Sequence, residues 1–552
     1  MYKYFIRNTW TIILLVFIFE KVSGQKVLGF LNHDFSNQSE LLLIHHNYDG
    51  NDVSSSSRPL ILLNREISVQ LDSLHHLNRN LLFKKKQDKY LIRKLRKENL
   101  VEINQPDFFF SINPIVNFEV GKNLNLNRKT WVNTRGFFAE GKIGKKIGFM
   151  MNFFENQAVF DEYIDFYVNS KRVVPGQGFI KPYKEKGFDF ARSNGIILFQ
   201  PSQHFNVQAG HGKNFIGNGY RSLLLSDCAF NYPYLKITTQ VWKLQYVNLY
   251  GQMMNIQARQ SSGETFPKKY FSSHYLSYQG KKFEISFFES IIWQSGDSSF
   301  YRGFDLNYLN PVIFYRPVEF SLGSPDNALI GINFRIQAGR KTYFYNQFVI
   351  DDFEIKNLKN GKGNILNKYG YQFGIKSFEL FNIKGLLLQT EYNEVRPYTY
   401  SHRTIEQNYS HYNEPLAHPL GANFRELISI AKYQYKDWGL KIKINYAIMG
   451  EDSADSDWGK NIFLPDTLSP RGYPYGNNVF PGSGYGNYTT QGVRTFLRSM
   501  NVQVSFLLNP QSNCLILAGV NFRNYSNMLN RNKQAYIYLG FSMNIENYYY
   551  DF

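Results

Sequence analysis

Hydrophobic and polar residues alternate one for one through much of this chain. Leu440, Ile442, Ile444, Tyr446 and Ile448 fall on one face of an extended segment, with Lys441, Lys443, Asn445 and Ala447 on the other. Ile330, Ile332, Phe334 and Ile336 oppose Gly331, Asn333 and Arg335, and Phe283, Ile285 and Phe287 oppose Lys282, Glu284 and Ser286. Tyr369, Tyr371, Phe373 and Ile375 against Gly370, Gln372 and Gly374 repeat the pattern, as do Val502, Val504, Phe506 and Leu508. A period of two predicts strands with one apolar face. Charged residues keep to the polar face, as a barrel with a lipid-facing exterior and a polar interior requires. Near the end, Ala535, Ile537, Leu539, Phe541, Met543 and Ile545 alternate with Tyr536, Tyr538, Gly540, Ser542 and Asn544, and Tyr548, Tyr550 and Phe552 follow. This predicts a closing strand running into an aromatic end, with Tyr548, Tyr550 and Phe552 as the membrane-assembly signal presented to the barrel-assembly machinery.

The punctuation between runs is asymmetric. Gly144-Lys145-Lys146, Gln279-Gly280-Lys281, Gly339-Arg340 and Lys436-Asp437-Trp438-Gly439 read as tight turns. Long stretches rich in Gly, Asn, Ser and Tyr separate the resulting pairs, at about 155–192, 212–234, 294–327, 351–368, 393–425 and 450–494. Short turns on one side and long loops on the other mark an outer-membrane barrel with its turns in the periplasm. About eight hairpins, an opening strand over Phe108 to Gly121 and the closing strand give about 18 strands. The pair from Leu235 to Gly251 has no turn signal, and its alternation slips at Val247.

The first 24 residues read as an export signal: Lys3 and Arg7, an apolar run from Thr11 to Phe19, and Val22-Ser23-Gly24 as the exit. Residues 25–107 form a periplasmic lead-in, and 108–552 the barrel. Within the lead-in, Leu71, Leu74, Leu77 and Leu81 follow helical spacing and Leu91, Ile92 and Leu95 continue it, while eight of the fourteen residues from Lys84 to Lys97 are Lys or Arg. A leucine stripe must bury against something, which predicts a helical plug or cap. The expected architecture is all-β: a transmembrane antiparallel barrel with a short periplasmic helical segment in the outer membrane of a Gram-negative cell.

Composition fits. Aromatics make up 17% of the chain, with 40 Tyr and 48 Phe, while mean hydropathy is −0.38, because polar lumen positions dilute lipid-facing ones. The two cysteines, Cys228 and Cys514, cannot form a disulfide framework. A net charge of +18 in an exported protein points away from nucleic acid and toward lipopolysaccharide phosphates, outer-membrane lipid and acidic polysaccharide.

Catalytic chemistry is hard to assemble. His211, Ser222 and Asp227 spell a Ser/His/Asp set, but geometry rather than order defines a triad. Gly210-His211-Gly212-Lys213-Asn214 lacks the Lys-Ser/Thr pair of a phosphate loop. The His45-His46 and His75-His76 pairs lack metal-ligand spacing, and the acidic run from Glu451 to Asp457 lacks the Gly and distal Glu of a calcium loop. No enzyme activity, cofactor or metal is expected.

The stretch 210–234, GHGKNFIGNGYRSLLLSDCAFNYPY, together with GFDLNYLNP at Gly303 to Pro311, Arg316-Pro317-Val318-Glu319, Asp326-Asn327 and the basic lead-in before Asn113-Pro114, resembles the Wzi-type capsule-assembly barrels, and within them the gliding-motility-associated RemB-like branch. Cys228 departs from that pattern, where a polar residue such as Asn is expected. The resemblance implies a barrel with a largely filled lumen that binds, attaches or organises exopolysaccharide (capsule or slime), with a link to motility-complex proteins in the gliding branch. Aromatic rings suit sugar faces and guanidinium suits uronate or sulfate, so Lys213, Tyr220, Arg221, Asp227, Arg316 and Glu319 are the candidate polysaccharide-binding residues. The alternative for the same residues is internal pairing, Arg221 with Asp227 and Arg316 with Glu319, to hold a folded-in loop. Alternative functions are a porin or substrate channel, or a structural part of a motility or secretion complex.

Overall fold

The computed structural model describes residues 31–33, 40, 56–59, 90–96, 98–257, 265–296, 301–323, 326–352, 361–453, 456–473 and 484–552. Eighteen antiparallel strands close into one barrel. They are β1 (Phe108–Asn123), β2 (Arg128–Ile143), β3 (Ile147–Val159), β4 (Gly187–Phe199), β5 (Phe205–Gly212), β6 (Tyr232–Val241), β7 (Leu244–Met254), β8 (Lys268–Gln279), β9 (Phe283–Gln294), β10 (Asn327–Gln337), β11 (Thr342–Asp352), β12 (Lys368–Phe378), β13 (Leu386–Val395), β14 (Phe424–Tyr435), β15 (Trp438–Glu451), β16 (Val493–Asn509), β17 (Cys514–Ser526) and β18 (Arg531–Met543). Each pairs with its sequence neighbours, and β18 pairs with β1 from Tyr536↔Asn123 to Met543↔Val116, so the sheet has no free edge.

The alternation sorts the side chains as its period requires. On β10, Ile330, Ile332 and Ile336 are exposed on the outer wall while Asn333 and Arg335 are buried inside. On β15, Leu440 and Ile444 point outward and Asn445 and Ala447 inward. Leu235 to Gly251 does form a hairpin, between β6 and β7, through Trp242-Lys243 with Trp242 in the left-handed region at φ 53. A bulky residue there carries none of the Gly/Asn signal by which such turns are read.

The expected closing strand is too long. It stops at Met543, where Asn544 turns at φ 55, its backbone N–H donating to Ser512 O (2.9 Å) and its side chain to Pro114 O (3.0 Å). Tyr548, Tyr550 and Phe552 therefore lie beyond the wall, in a tail that enters the lumen. Tail polar groups meet partners there that a strand extension would not offer: Glu546 pairs with Arg192 at 2.7 Å, Gln177 donates to the Tyr550 hydroxyl at 2.7 Å, and Phe552 packs on Tyr167 at 4.7 Å between ring centroids.

Two segments between strands fold in opposite directions. Residues 213–231 turn inward, where Leu223, Leu224 and Leu225 are fully buried. Residues 301–322 instead lie against the outside of β7–β9. Ser272, His274, Glu289 and Trp293 share the face of the exposed Phe287, Ile330 and Ile332 and so project outward, and this segment covers them. The Tyr315 hydroxyl meets His274 Nε2 at 2.9 Å, and Trp293 Nε1 donates to Gly303 O at 3.1 Å.

The lead-in's leucine stripe at Leu71 to Leu81 lies outside the described residues, as does the export signal. Of the lead-in's helical residues α1 (Tyr90–Arg96) is described, held at the periplasmic end by Asn509 Nδ2 donating to Lys94 O (3.1 Å) and Glu98 O (3.2 Å). Two further helices follow in the loops, α2 (Glu162–Lys171) and α3 (Arg316–Leu322).

Candidate functional site in the lumen and at its mouth

The motif-bearing loop crosses the lumen because the wall offers it carboxylates. Glu391 on β13 accepts two consecutive backbone N–H groups, from Tyr220 (2.8 Å) and Arg221 (3.2 Å). Gly219 permits this approach, since a Cβ there would collide with the same carboxylate. The Arg221 guanidinium, wholly buried, then reaches Glu426 on β14 at 3.0 Å and Asp551 of the tail at 3.1 Å. It lies between the rings of Tyr220 and Tyr549, 5.0 and 5.4 Å from their centroids. Lys443 on β15 completes the cluster at 2.8 Å from Asp551, the Tyr220 hydroxyl donates to Asp551 at 3.1 Å, and His418 meets Glu426 at 2.8 Å. Burial opposes the Asp551 charge, but Arg221 and Lys443 outweigh it and hold the carboxyl well below its usual range.

Lys213, Tyr220, Arg221 and Asp227 are thus all buried in one luminal region, with every side-chain polar group except Arg221 Nη1 met by protein. The expected Arg221–Asp227 pair is not made. Asp227 instead accepts from the Tyr549 hydroxyl (2.6 Å) and Asn547 Nδ2 (3.1 Å), and Lys213 Nζ donates to Gly176 O (2.8 Å) and Asp227 O (3.0 Å). Arg316 and Glu319 are not brought to this region. They lie on α3, outside the wall, where Val318 packs against the cluster of Tyr270, Ile291, Trp293, Tyr308 and Tyr315, and their own side chains lie outside the described residues.

Cys228, the departure in the motif, is a buried joint between two loops, its thiol donating to Pro415 O at 3.1 Å. Burial pushes that thiol up to about 12, so it is inert as a nucleophile. It and Cys514 are free. The Ser/His/Asp set does not assemble: His211 is on the outer face of β5 with its Nδ1 at Ser193 O, Ser222 donates to Ile216 O, and Asp227 faces the tail. Asp452 of the acidic run accepts the Trp458 and Asn461 backbone N–H groups, and no metal-holding group of His, Cys, Asp or Glu occurs among the described residues.

The wall and tail partners Glu391, Glu426 and Asp551 and the Arg192–Glu546 pair are not among the residues expected from sequence. Glu391 and Glu426 sit at polar positions of alternating strands, the one signal available for them.

Above the plug, rings from four loops form a row at the extracellular mouth: Phe179 to Phe266 (6.2 Å), Phe266 to Tyr412 (6.3 Å), and Tyr412 to Phe230 (4.7 Å). Phe179 is exposed and the others half-buried, with Arg172 and Lys181 exposed beside Phe179. Under the row His411 accepts the Met254 N–H at Nδ1 (3.0 Å), so its proton sits on Nε2, facing Asn231 O (3.0 Å).

No protein-family model matches the chain, and no curated protein matches it. Solved structures do. Wzi, an outer-membrane protein involved in group 1 capsule assembly in Escherichia coli and described as a carbohydrate-binding β-barrel, superposes with a TM-score of 0.50 at 13% identity, over 95% of this chain and 100% of its own. OprD of Pseudomonas aeruginosa gives 0.41 at 8% identity, over 78% and 94%, and OpdK of the same organism, solved with vanillate, 0.42 at 8%, over 79% and 98%. At such identities the likeness is one of fold alone, that of a large closed β-barrel, here of 18 antiparallel strands.

Proposed function

We propose that this barrel binds and organises an anionic exopolysaccharide at the cell surface through its extracellular mouth. The observation that carries the reading is the pairing of a lumen filled by charge-paired segments with a half-exposed row of rings, Phe179, Phe266, Tyr412 and Phe230, flanked by Arg172 and Lys181. Rings offer flat apolar surface to the C–H faces of sugars, and neighbouring cations offer charge-assisted hydrogen bonds to uronate or sulfate. In this reading Lys213, Tyr220, Arg221 and Asp227 act from beneath, fixing the plug that shapes the mouth. The fold likeness to the carbohydrate-binding Wzi barrel is in keeping with it, and a tie to motility rests on the sequence motif alone.

Retention of the detergent-solubilised protein on immobilised native capsule or slime tests it. Phe179→Ala with Tyr412→Ala is expected to lower retention at least ten-fold. Undiminished retention removes the ring row from the site, and no retention of the unaltered protein removes the polysaccharide assignment.

A second reading, a gated channel, is favoured by the inner wall itself. Lys236, Glu284, Arg335, Glu391, Glu426 and Lys443 point inward and would be hydrated if the plug moved. A stable open conductance level in planar bilayers would put this reading first.

A further inference from the structure

The outer wall of β15–β18 changes character between two adjacent rows. Register aligns Tyr446, Arg498, Asn524 and Lys533 across the four strands, and directly toward the periplasm Ile444, Met500, Phe522 and Ala535. Both rows face outward, since Ile444, Met500 and Phe522 are exposed while Asn445, between the rows on β15, turns inward to Glu426. A cavity of about 580 Å³ opens where the rows meet, with Arg498, Asn524 and Lys533 along one edge and Ile444, Met500 and Phe522 along the other.

Its depth is that of a headgroup. The aromatic pair Trp438 and Phe506, 5.0 Å between centroids, marks the opposite end of these strands. From Trp438 to Tyr446 is eight residues. At about 3.4 Å each and a tilt of about 40° they rise about 21 Å, close to the apolar band of about 25 Å of such barrels. The polar row therefore sits where the outer leaflet's acyl region ends.

Among the described residues the cations there have no protein anion as partner. Arg135 and Arg425, also on the outer wall, are paired with Glu155 (3.7 Å) and Glu394 (3.1 Å). Arg498 has only the Tyr446 ring, 5.6 Å away, and Lys533 has no carboxylate, among the described residues. Between them the buried Asn524 Oδ1 has no hydrogen-bond partner. Unpaired cations at a lipid boundary call for headgroup anions.

We propose that this face is a binding site for a phosphorylated, acylated glycolipid of the outer leaflet. Phosphates sit on Arg498 and Lys533, a sugar hydroxyl or amide N–H donates to Asn524 Oδ1, and acyl chains lie along Ile444, Met500 and Phe522. Two cations on strands about 9.6 Å apart suit two phosphates carried on a sugar backbone better than one phosphodiester, and guanidinium grips phosphate in bidentate fashion.

Native mass spectrometry of the whole protein in detergent tests this, with diphosphoryl lipid A, dephosphorylated lipid A, phosphatidylglycerol or inorganic phosphate added at equal concentration. Diphosphoryl lipid A is expected to be retained at least ten-fold better than either other lipid, and free phosphate not to compete. R498Q/K533Q is expected to lower its retention at least ten-fold, whereas R135Q leaves it unchanged. Equal retention of phosphatidylglycerol, competition by free phosphate, or unaltered retention by the double variant overturns the proposal. If the double variant fails to show the unheated gel mobility of a folded barrel, K533Q alone is expected to lower retention at least three-fold, and no change in it overturns the proposal equally.

Discussion

The inward segment 213–231 and the outward segment 301–322 are fastened by the same device. Glu391 accepts the N–H groups of Tyr220 and Arg221 on the inside of the wall, and Glu289 accepts those of Phe314 (2.6 Å) and Tyr315 on the outside. What differs is the far side of each segment. Inside, the next layer is protein, so Arg221 can be a buried charge with Glu426 and Asp551 as partners. Outside, the next layer is lipid, and the segment turns Leu306, Val312 and Phe314 toward it, 74, 64 and 57% exposed, while the Tyr308 and Tyr315 hydroxyls face back to Asp326 and His274. A wall carboxylate decides where a loop docks, and the medium beyond decides what the loop can carry.

The inner fastening depends most on Arg221. Arg221→Met strands Glu426 and Asp551 as buried, less compensated charges and is expected to cost about 3–5 kcal/mol, read as a lowered unfolding midpoint together with new protease cleavage in 544–552. Glu289→Leu is expected to cost about 2–3 kcal/mol by leaving two N–H groups unmet, with cleavage confined to 301–322 and the barrel's unheated gel mobility retained. Cleavage spreading into 213–231 would show that the two fastenings are coupled.

Acid should separate the inner layer further. Burial drives the His411 imidazole down to about 3, so between about 6.5 and that value the folded state binds fewer protons than the unfolded one. Its stabilising contribution is present above about 6.5 and is lost as pH falls through the window, since a proton on Nδ1 displaces the Met254 N–H. Protection factors across 396–423, with the base-catalysed intrinsic exchange rate divided out, are expected to be lower at pH 4.5 than at pH 7, and His411→Asn to flatten that difference. The smallest effect is expected at Leu306→Ala, within about 0.5 kcal/mol because its neighbours are lipid or detergent, against about 2–5 kcal/mol for Leu223→Ala in the fully buried plug. Similar losses at both would mean that 301–322 is covered by protein.

Much of the wall was legible because period-two alternation reports a boundary between two media, and β10, β15 and β16 each have one. Where 301–322 covers β7–β9 that boundary is lost: protein meets Tyr246, Tyr250, His274 and Glu289 on the outer side, and the alternation that opens β9 at Phe283 to Phe287 does not continue. Trp242 hid its turn because the left-handed position went to a ring instead of Gly or Asn. Lys213, Tyr220, Arg221 and Asp227 were legible as a group from one continuous motif. Their partners were not, since Glu391, Glu426 and Asp551 meet them only through a register set by the closed sheet and by a tail that leaves it after Met543.

Among the described residues the lumen is filled from several stretches of chain, including 40, 56–58, 160–180, 213–231, 396–423 and 544–552, and the last follows every strand of the wall. A nascent polypeptide arrested after β18 would have a complete cylinder and yet leave Arg192 and Arg221 without Glu546 and Asp551. Sealing the interior therefore waits on the tail, and until it docks Arg192 lacks its Glu546 partner and Arg221 keeps only Glu426.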